Sequence, residues 1–152
     1  MEAIMRISSK GRYGLASMIS VAQLGSGGDF VTVVSIADKL GISKIYLEQV
    51  FSLLKRSKLV TSIKGSQGGY QLSRSSNKIT AYDILQAVET SLFDKTERSV
   101  LDKSPEIENA LTKIVWNKMD TAITSVLKEV TLDDLVIESE RNKTDDQFMF
   151  YI

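Results

Sequence analysis

Five side chains between Ile45 and Arg56 are of the kinds that read or grip nucleic acid. On a helix, Ile45, Glu48, Gln49, Ser52 and Arg56 fall around the side away from Leu47, Val50 and Leu54, because residues three and four apart share a face. A glutamine amide can pair with adenine, and a glutamate can accept from a cytosine amino group, so this face has base-reading chemistry. Ser43, Lys44 and Tyr46 open the same segment and lie within reach of whatever it touches. Lys10, Arg12, Lys55, Lys58 and Lys64 supply separate cations for phosphate contact, which positions a protein on a duplex and makes binding salt-dependent without reading sequence. Taken singly, each of these residues also has an ordinary reading as solvated surface.

A second chemical feature is the stretch "SIKGSQGGYQLSR" at 62–74, in which Gly65, Gly68 and Gly69 are flanked by Lys64 and Arg74. It is neither a GxxxxGK[ST] phosphate loop nor a GxGxxG opening a helix, since a strand-like segment follows it. Alone it reads as a tight turn. Directly after a helix-turn-helix it reads as the tip of a wing, where Gly65 and Gly68 let the backbone approach a groove wall while Lys64 enters the negative potential of the minor groove.

Catalytic chemistry has little to work with. The chain contains no Cys and no His among its 152 residues, which excludes disulfides, thiolate metal sites, imidazole bases and nucleophile–histidine catalysis. Asp133 and Asp134 adjoin in sequence, but at a helix start they favour the positive end of its dipole rather than acid–base work. No apolar run reaches the roughly 18 residues that a membrane helix needs, and the N-terminus lacks a signal peptide's apolar segment, so a cytoplasmic protein is expected. Charge is unevenly spread: residues 1–80 carry eleven Lys/Arg against four Asp/Glu, a net of +7, whereas 81–152 carry eight against fifteen, a net of −7. The basic half suits a polyanion.

The elements that must position these side chains follow from periodicity. Tyr13, Leu15, Met18, Ile19 and Ala22 recur at helical spacing from Lys10 to Leu24, where "GSGGD" stops the pattern. Val33 to Leu40 forms a short helix, Gly41 a left-handed turn and Ser43 the N-cap of a second helix to about Lys58, with Leu47, Val50, Phe51 and Leu54 buried. "LVTSIKG" and "GYQLS" alternate as two strands of a hairpin, and Thr80 caps a helix carrying Ile84, Leu85 and Val88. Residues 91–104 have no period. Ser104-Pro105 opens the longest helix, whose apolar residues from Ile107 to Val130 exceed what so small a domain covers. That excess implies a partner helix, most simply from a second copy of the chain; packing wholly on its own domain is the alternative. "TLDDL" at 131–135 starts a last short helix, and "ESERNKTDDQ" reads as a polar, irregular segment before "FMFYI".

The expected fold is mainly α with a small β-hairpin wing, a winged helix-turn-helix plus a long dimerisation helix. Its divisions are a DNA-binding domain at 1–90, a loop at 91–104, the dimerisation helix and a short following helix at 105–137, and a C-terminal tail at 138–152.

"RISSKGRYGL" at 6–15, "ISKIYLEQVFSLLKRSKLVTSIKGSQGGYQL" at 42–72 and "ITAYDILQAVE" at 79–89 resemble the Rrf-type winged-helix regulators, the family that includes IscR, NsrR and CymR. The resemblance implies a homodimeric transcription factor, usually a repressor, with the long helix exchanged between protomers and two winged helices on a palindromic operator. It assigns base reading to Glu48 and Gln49 of "YLEQ" and a basic contact to Arg12 of "KGRY". Lys64 stands where the family commonly has a wing arginine, and lysine lacks arginine's planar fork. Cluster-binding members carry three cysteines before the dimerisation helix. This chain has none, so the resemblance implies no cofactor and points to the CymR-like repressors of cysteine metabolism, a likeness that extends to the "MFYI" ending.

Such repressors form complexes with cysteine synthase, whose partners insert a C-terminal isoleucine carboxylate into its active site. Ile152, preceded by Phe150 and Tyr151, is therefore expected either to bind that enzyme or to pack as a tail on its own dimer. A second functional class remains beside the regulator: a winged helix that binds protein rather than DNA. No membrane partner is implied.

Overall fold

The computed structural model describes residues 6–65, 68–89 and 91–150, with side chains through residue 145. The chain folds mainly as helices around one antiparallel hairpin. Helix α1 (Ser9–Leu24) begins at Ser8, whose side chain accepts from the Gly11 N–H. It is followed by α2 (Val33–Leu40) and α3 (Lys44–Arg56). Gly41 ends α2 at φ 67°, ψ 35°, a left-handed conformation that costs an L side chain about 1–2 kcal/mol. Ser43 then caps α3 through the Tyr46 N–H. The buried face of α3 is Leu47, Val50, Phe51 and Leu54, the four residues that the period selects. They meet Met18 and Val21 of α1 and Ile36 of α2 in a single core.

Strands β1 (Val60–Ile63) and β2 (Gly69–Leu72) pair with Val60 opposite Leu72 and Ile63 opposite Gly69. A bridge the sequence does not signal joins Val31 to Tyr70, each N–H donating to the other's carbonyl at 2.8 Å. Helix α4 (Ala81–Val88) starts from a reciprocal Thr80–Asp83 capping box and buries Ile84, Leu85 and Val88. At its end Glu89 is buried, and its Oε2 accepts from the Ser8 N–H at 3.0 Å and the Ser8 hydroxyl at 2.8 Å. The carboxylate thus sits on the N-terminus of α1, where the helix dipole favours negative charge.

The long helix is α5 (Pro105–Leu111) continued through a π turn at Thr112–Trp116 into α6 (Asn117–Glu129). The wider turn shifts the apolar stripe by one residue. Val115, Ile123 and Leu127 are half-buried, while Ile107, Leu111, Ile114, Met119 and Val126 remain exposed.

The C-terminal region departs from expectation. Helix α7 runs from Leu132 to Phe150, so there is neither a short last helix nor an irregular tail beginning at 138. The start is a Thr131–Asp134 capping box, with each residue's side chain accepting from the other's N–H at 2.9 and 3.0 Å. Leu132 is fully buried. Further along, Gln23 of α1 donates to Ser139 and Glu140, and Arg141 pairs with Glu138 at 3.2 Å. Half of the polar stretch is Glu, Arg, Lys or Gln, and none of it is Gly or Pro, so once capped it extends as a solvated helix.

Candidate nucleic-acid interface

The outer face of α3 is built by the cap at one end and the core at the other. Ser43 fixes the first turn, and the buried stripe leaves Ile45, Glu48, Gln49, Ser52, Lys55 and Arg56 exposed on the remaining side. Ile45 is 73% exposed. Lys44 lies 3.9 Å from Glu48 one turn on, both more than half exposed. An exposed pair at that distance contributes little to stability, so both ends remain open to a partner. The Ser43 oxygen accepts from a backbone N–H, and its own proton is left to donate.

Tyr46 is half-buried and stacks edge-on against Tyr13 of α1, with centroids 5.4 Å apart and planes at 81°. Desolvation raises its phenol above the ordinary value, Tyr13 adds to that rise, and Arg12 opposes it. The contact links the start of α3 to the helix carrying Lys10 and Arg12. Arg12 itself donates to the Ile7 carbonyl at 3.1 Å and the Ser9 hydroxyl at 3.2 Å, which holds an exposed guanidinium in place. Lys10 is half-buried beside it in sequence.

The wing is fastened to α3 by Phe51 and Tyr70, whose rings stack at 4.6 Å. Burial raises the Tyr70 phenol, with the charge of Glu48 as the second cause. A cleft of about 460 Å³ separates the hairpin from the helices, lined by Val34, Lys44, Glu48, Ile63, Gly68 and Tyr70 among others. Behind the hairpin lies a second concavity, about 520 Å³, whose walls include Lys55, Lys58, Thr61, Lys64 and Ser73. Gly68 has φ 64°, and among the described residues nothing lies within 4 Å of a Cβ built on Gly65, so no described side chain would block a close approach to the backbone there. Arg74, by contrast, is occupied at the base of the wing, donating to the Lys78 carbonyl and pairing with Asp83 at 3.1 Å.

The fold therefore brings Lys44, Glu48 and Gly68 to one cleft and Lys55, Lys58 and Lys64 to another, with Gln49 and Ser52 exposed on α3. Of the other residues considered for a partner, Phe150 ends α7, and Tyr151 and Ile152 lie outside the described residues. Sequence reasoning passed over Val34 and Ile63, which are 50% and 48% exposed at the cleft. The available signal was that neither is needed to complete the apolar stripe of its element.

Among the described residues no helix is long and apolar enough to cross a membrane, and no three His, Cys, Asp or Glu residues converge as metal ligands.

Comparison with known proteins places this geometry. The Rrf2 family model, described as an iron-dependent transcriptional regulator, matches residues 7–138. The transcriptional regulator IscR of Pectobacterium carotovorum is 38% identical over 136 residues, covering 90% of this chain and 82% of that protein. Among solved structures, IscR of T. potens superposes with a TM-score of 0.70 at 34% identity over 91% of each chain. CymR, the global cysteine regulator of B. subtilis, gives 0.71 at 35% identity over 89% of this chain and 98% of that one.

Proposed function

This chain belongs to the Rrf2 family of transcriptional regulators, and from that premise we propose that it is a homodimeric repressor which binds a palindromic operator and controls genes of cysteine or sulfur metabolism. The observation that carries DNA binding is the packing of the wing on α3. The Phe51–Tyr70 stack holds the two together, and Lys44 and Glu48 of α3 share one cleft with Gly68 of the wing, which suits both to one ligand.

Glu48 and Gln49 read base edges in the major groove. Lys55 and Lys64, with Lys10 and Arg12 on α1, grip phosphates on either side. Half-sites one helical turn apart require two such heads. The second head is supplied by a second chain docking along Ile107, Leu111, Ile114, Met119 and Val126, an apolar surface left open on α5, the π turn and α6. Ile114→Asp places a charge in that surface and should convert the dimer to monomer in sedimentation velocity with helix content retained; an unchanged dimer would place the interface elsewhere.

The iron dependence in the family's description does not fit the donors here. The chain has no Cys or His, so it offers neither the thiolates nor the imidazoles that hold an iron–sulfur cluster. That mismatch, together with the likeness to CymR, supports the cysteine-metabolism reading. The effector is then a partner protein: cysteine synthase, taking the carboxylate of Ile152 with Phe150 and Tyr151 behind it. Deleting Tyr151 and Ile152 should abolish binding to the synthase while leaving fold and dimer intact, and undiminished affinity would end the proposal.

The whole reading is tested by mapping bound fragments genome-wide and titrating the best palindrome against salt. Affinity should fall steeply as salt rises. Salt-insensitive or absent DNA binding would favour a winged helix that serves as a protein-interaction subunit.

A further inference from the structure

Ile45 is the most exposed large apolar side chain among the described residues, at 73%, and it stands in the first turn of α3. It lies two residues, roughly 200°, around the helix from Leu47, opposite the face that packs the core. Nothing in the fold accounts for an isoleucine there, since the buried stripe is complete with Leu47, Val50, Phe51 and Leu54. Its closest companions on the helix surface are Glu48 and Gln49, three and four residues on, the two side chains suited to base edges.

We infer that Ile45 reads the 5-methyl group of a thymine in the major groove and so determines specificity at a position next to those contacted by Glu48 and Gln49. The inference rests on the DNA-binding reading above and deepens it. The N-terminal residues of a recognition helix are the ones that reach base edges. Isoleucine neither donates nor accepts a hydrogen bond, and the thymine methyl is the one apolar group displayed on the major-groove edge of any base pair. Branching at Cβ leaves an isoleucine in a helix essentially one χ1 rotamer, so its methyl groups are already positioned and little conformational freedom is lost on contact. The contact also excludes water from the flanking hydrogen bonds of Glu48 and Gln49, which strengthens them.

The test uses deoxyuridine, which differs from thymine only by that methyl group. Each thymine of the mapped operator is replaced in turn, and affinity for the full-length wild type and for Ile45→Ala is measured by fluorescence anisotropy at one salt concentration. At one symmetric pair of positions the wild type should lose about fourfold per half-site, about fifteenfold for both, the value of burying one methyl group each time. Ile45→Ala should bind the thymine operator more weakly by a similar factor and be indifferent to deoxyuridine at those positions, while matching the wild type at all others. Its thermal midpoint should not fall, because the side chain is exposed and alanine is the better helix former. Equal losses for both proteins at every position overturn the inference and leave DNA binding standing. If the wild type binds no fragment specifically, the DNA-binding reading fails and the inference falls with it.

Discussion

Lys58→Gly should make the protein more stable and its DNA binding less salt-sensitive. Among the described residues Lys58 is the one non-glycine with positive φ, at 61°. It closes α3 in a two-bond terminus: its N–H donates to the Lys55 carbonyl at 2.9 Å, and the Leu59 N–H donates to the Leu54 carbonyl at 3.0 Å. Leu54 and Leu59 are both buried, supplying the apolar contact that accompanies this motif. The left-handed conformation costs an L residue about 1–2 kcal/mol, and the greater freedom of glycine in the unfolded chain offsets about 0.5–1 kcal/mol of the relief. A net gain of about 0.5–1 kcal/mol raises the thermal midpoint of a chain this long by about 1–4 °C. Lys58 also lines the concavity with Lys55 and Lys64. Losing one phosphate contact per protomer, two per bound dimer, lowers the slope of log affinity against log salt by roughly 1.8. Differential scanning fluorimetry at fixed protein concentration and anisotropy titrations across a salt series measure the two effects. Lys58→Gln separates them, since it removes the charge and keeps the strain: its slope should fall without a rise in midpoint. A lower midpoint for Lys58→Gly would refute the strain argument, and an unchanged slope would take Lys58 out of the phosphate interface.

Three other outcomes are expected. A Cβ on Gly11 would lie 2.6 Å from the Glu89 Oε2 and 2.7 Å from the Ile7 Cγ2, so Gly11→Ala should displace the carboxylate from Ser8 and cost about 1–2 kcal/mol in urea unfolding, after allowing for alanine's helix preference. The folded Tyr70 phenol keeps its proton above the ordinary value of 10.0 because of burial and, second, Glu48; stability is therefore full below about pH 10 and is lost as pH rises through the folded value. Tyr70→Phe should show a smaller decline in urea midpoint between pH 9 and pH 11, with Tyr46, whose phenol burial also raises, adding to the decline that is left and Lys39, whose amine burial lowers, opposing it. Gln49→Ala should lose about 1–3 kcal/mol on the operator and relax specificity at one base pair; a uniform loss over all sequences would reassign Gln49 to the backbone.

What the sequence made legible was local. Gly41 and Ser43 announce the turn between α2 and α3 because their chemistry acts within a few residues, and the spacing of Leu47, Val50, Phe51 and Leu54 is a property of α3 alone. Past residue 137 the same reasoning failed, because the apolar docking of α7 by Leu132 and Val136 ends there and the next turn is held by the polar bonds of Gln23 to Ser139 and Glu140. The available clue was the Thr131–Asp134 spacing followed by a stretch without Gly or Pro. The π turn at Thr112–Trp116 and the Val31–Tyr70 bridge had no local signature. For the site, residue types on the α3 face were readable, but their arrangement depends on partners distant in sequence: Tyr13 under Tyr46, and Tyr70 against Phe51.

The same distance in sequence explains why α1 matters more than its composition suggests. Its first turn is held by Glu89, the residue that ends α4 just before the segment leading to the long helix, and its last turn is held to α7 through Gln23. Gln23 also accepts from Lys39 of α2 at 2.6 Å, so one amide joins three helices. Lys10 and Arg12 therefore stand on an element anchored at both ends to the C-terminal half. Their position relative to α3 is set by the Tyr13–Tyr46 contact on the outer side, and by Met18 and Val21 against the α3 core on the inner. The phosphate contacts proposed for Lys10 and Arg12 and the base reading proposed for Glu48 and Gln49 thus stand on different helices that share one core, so a core substitution such as Met18→Ala should disturb both together, whereas Gln49→Ala should disturb only one.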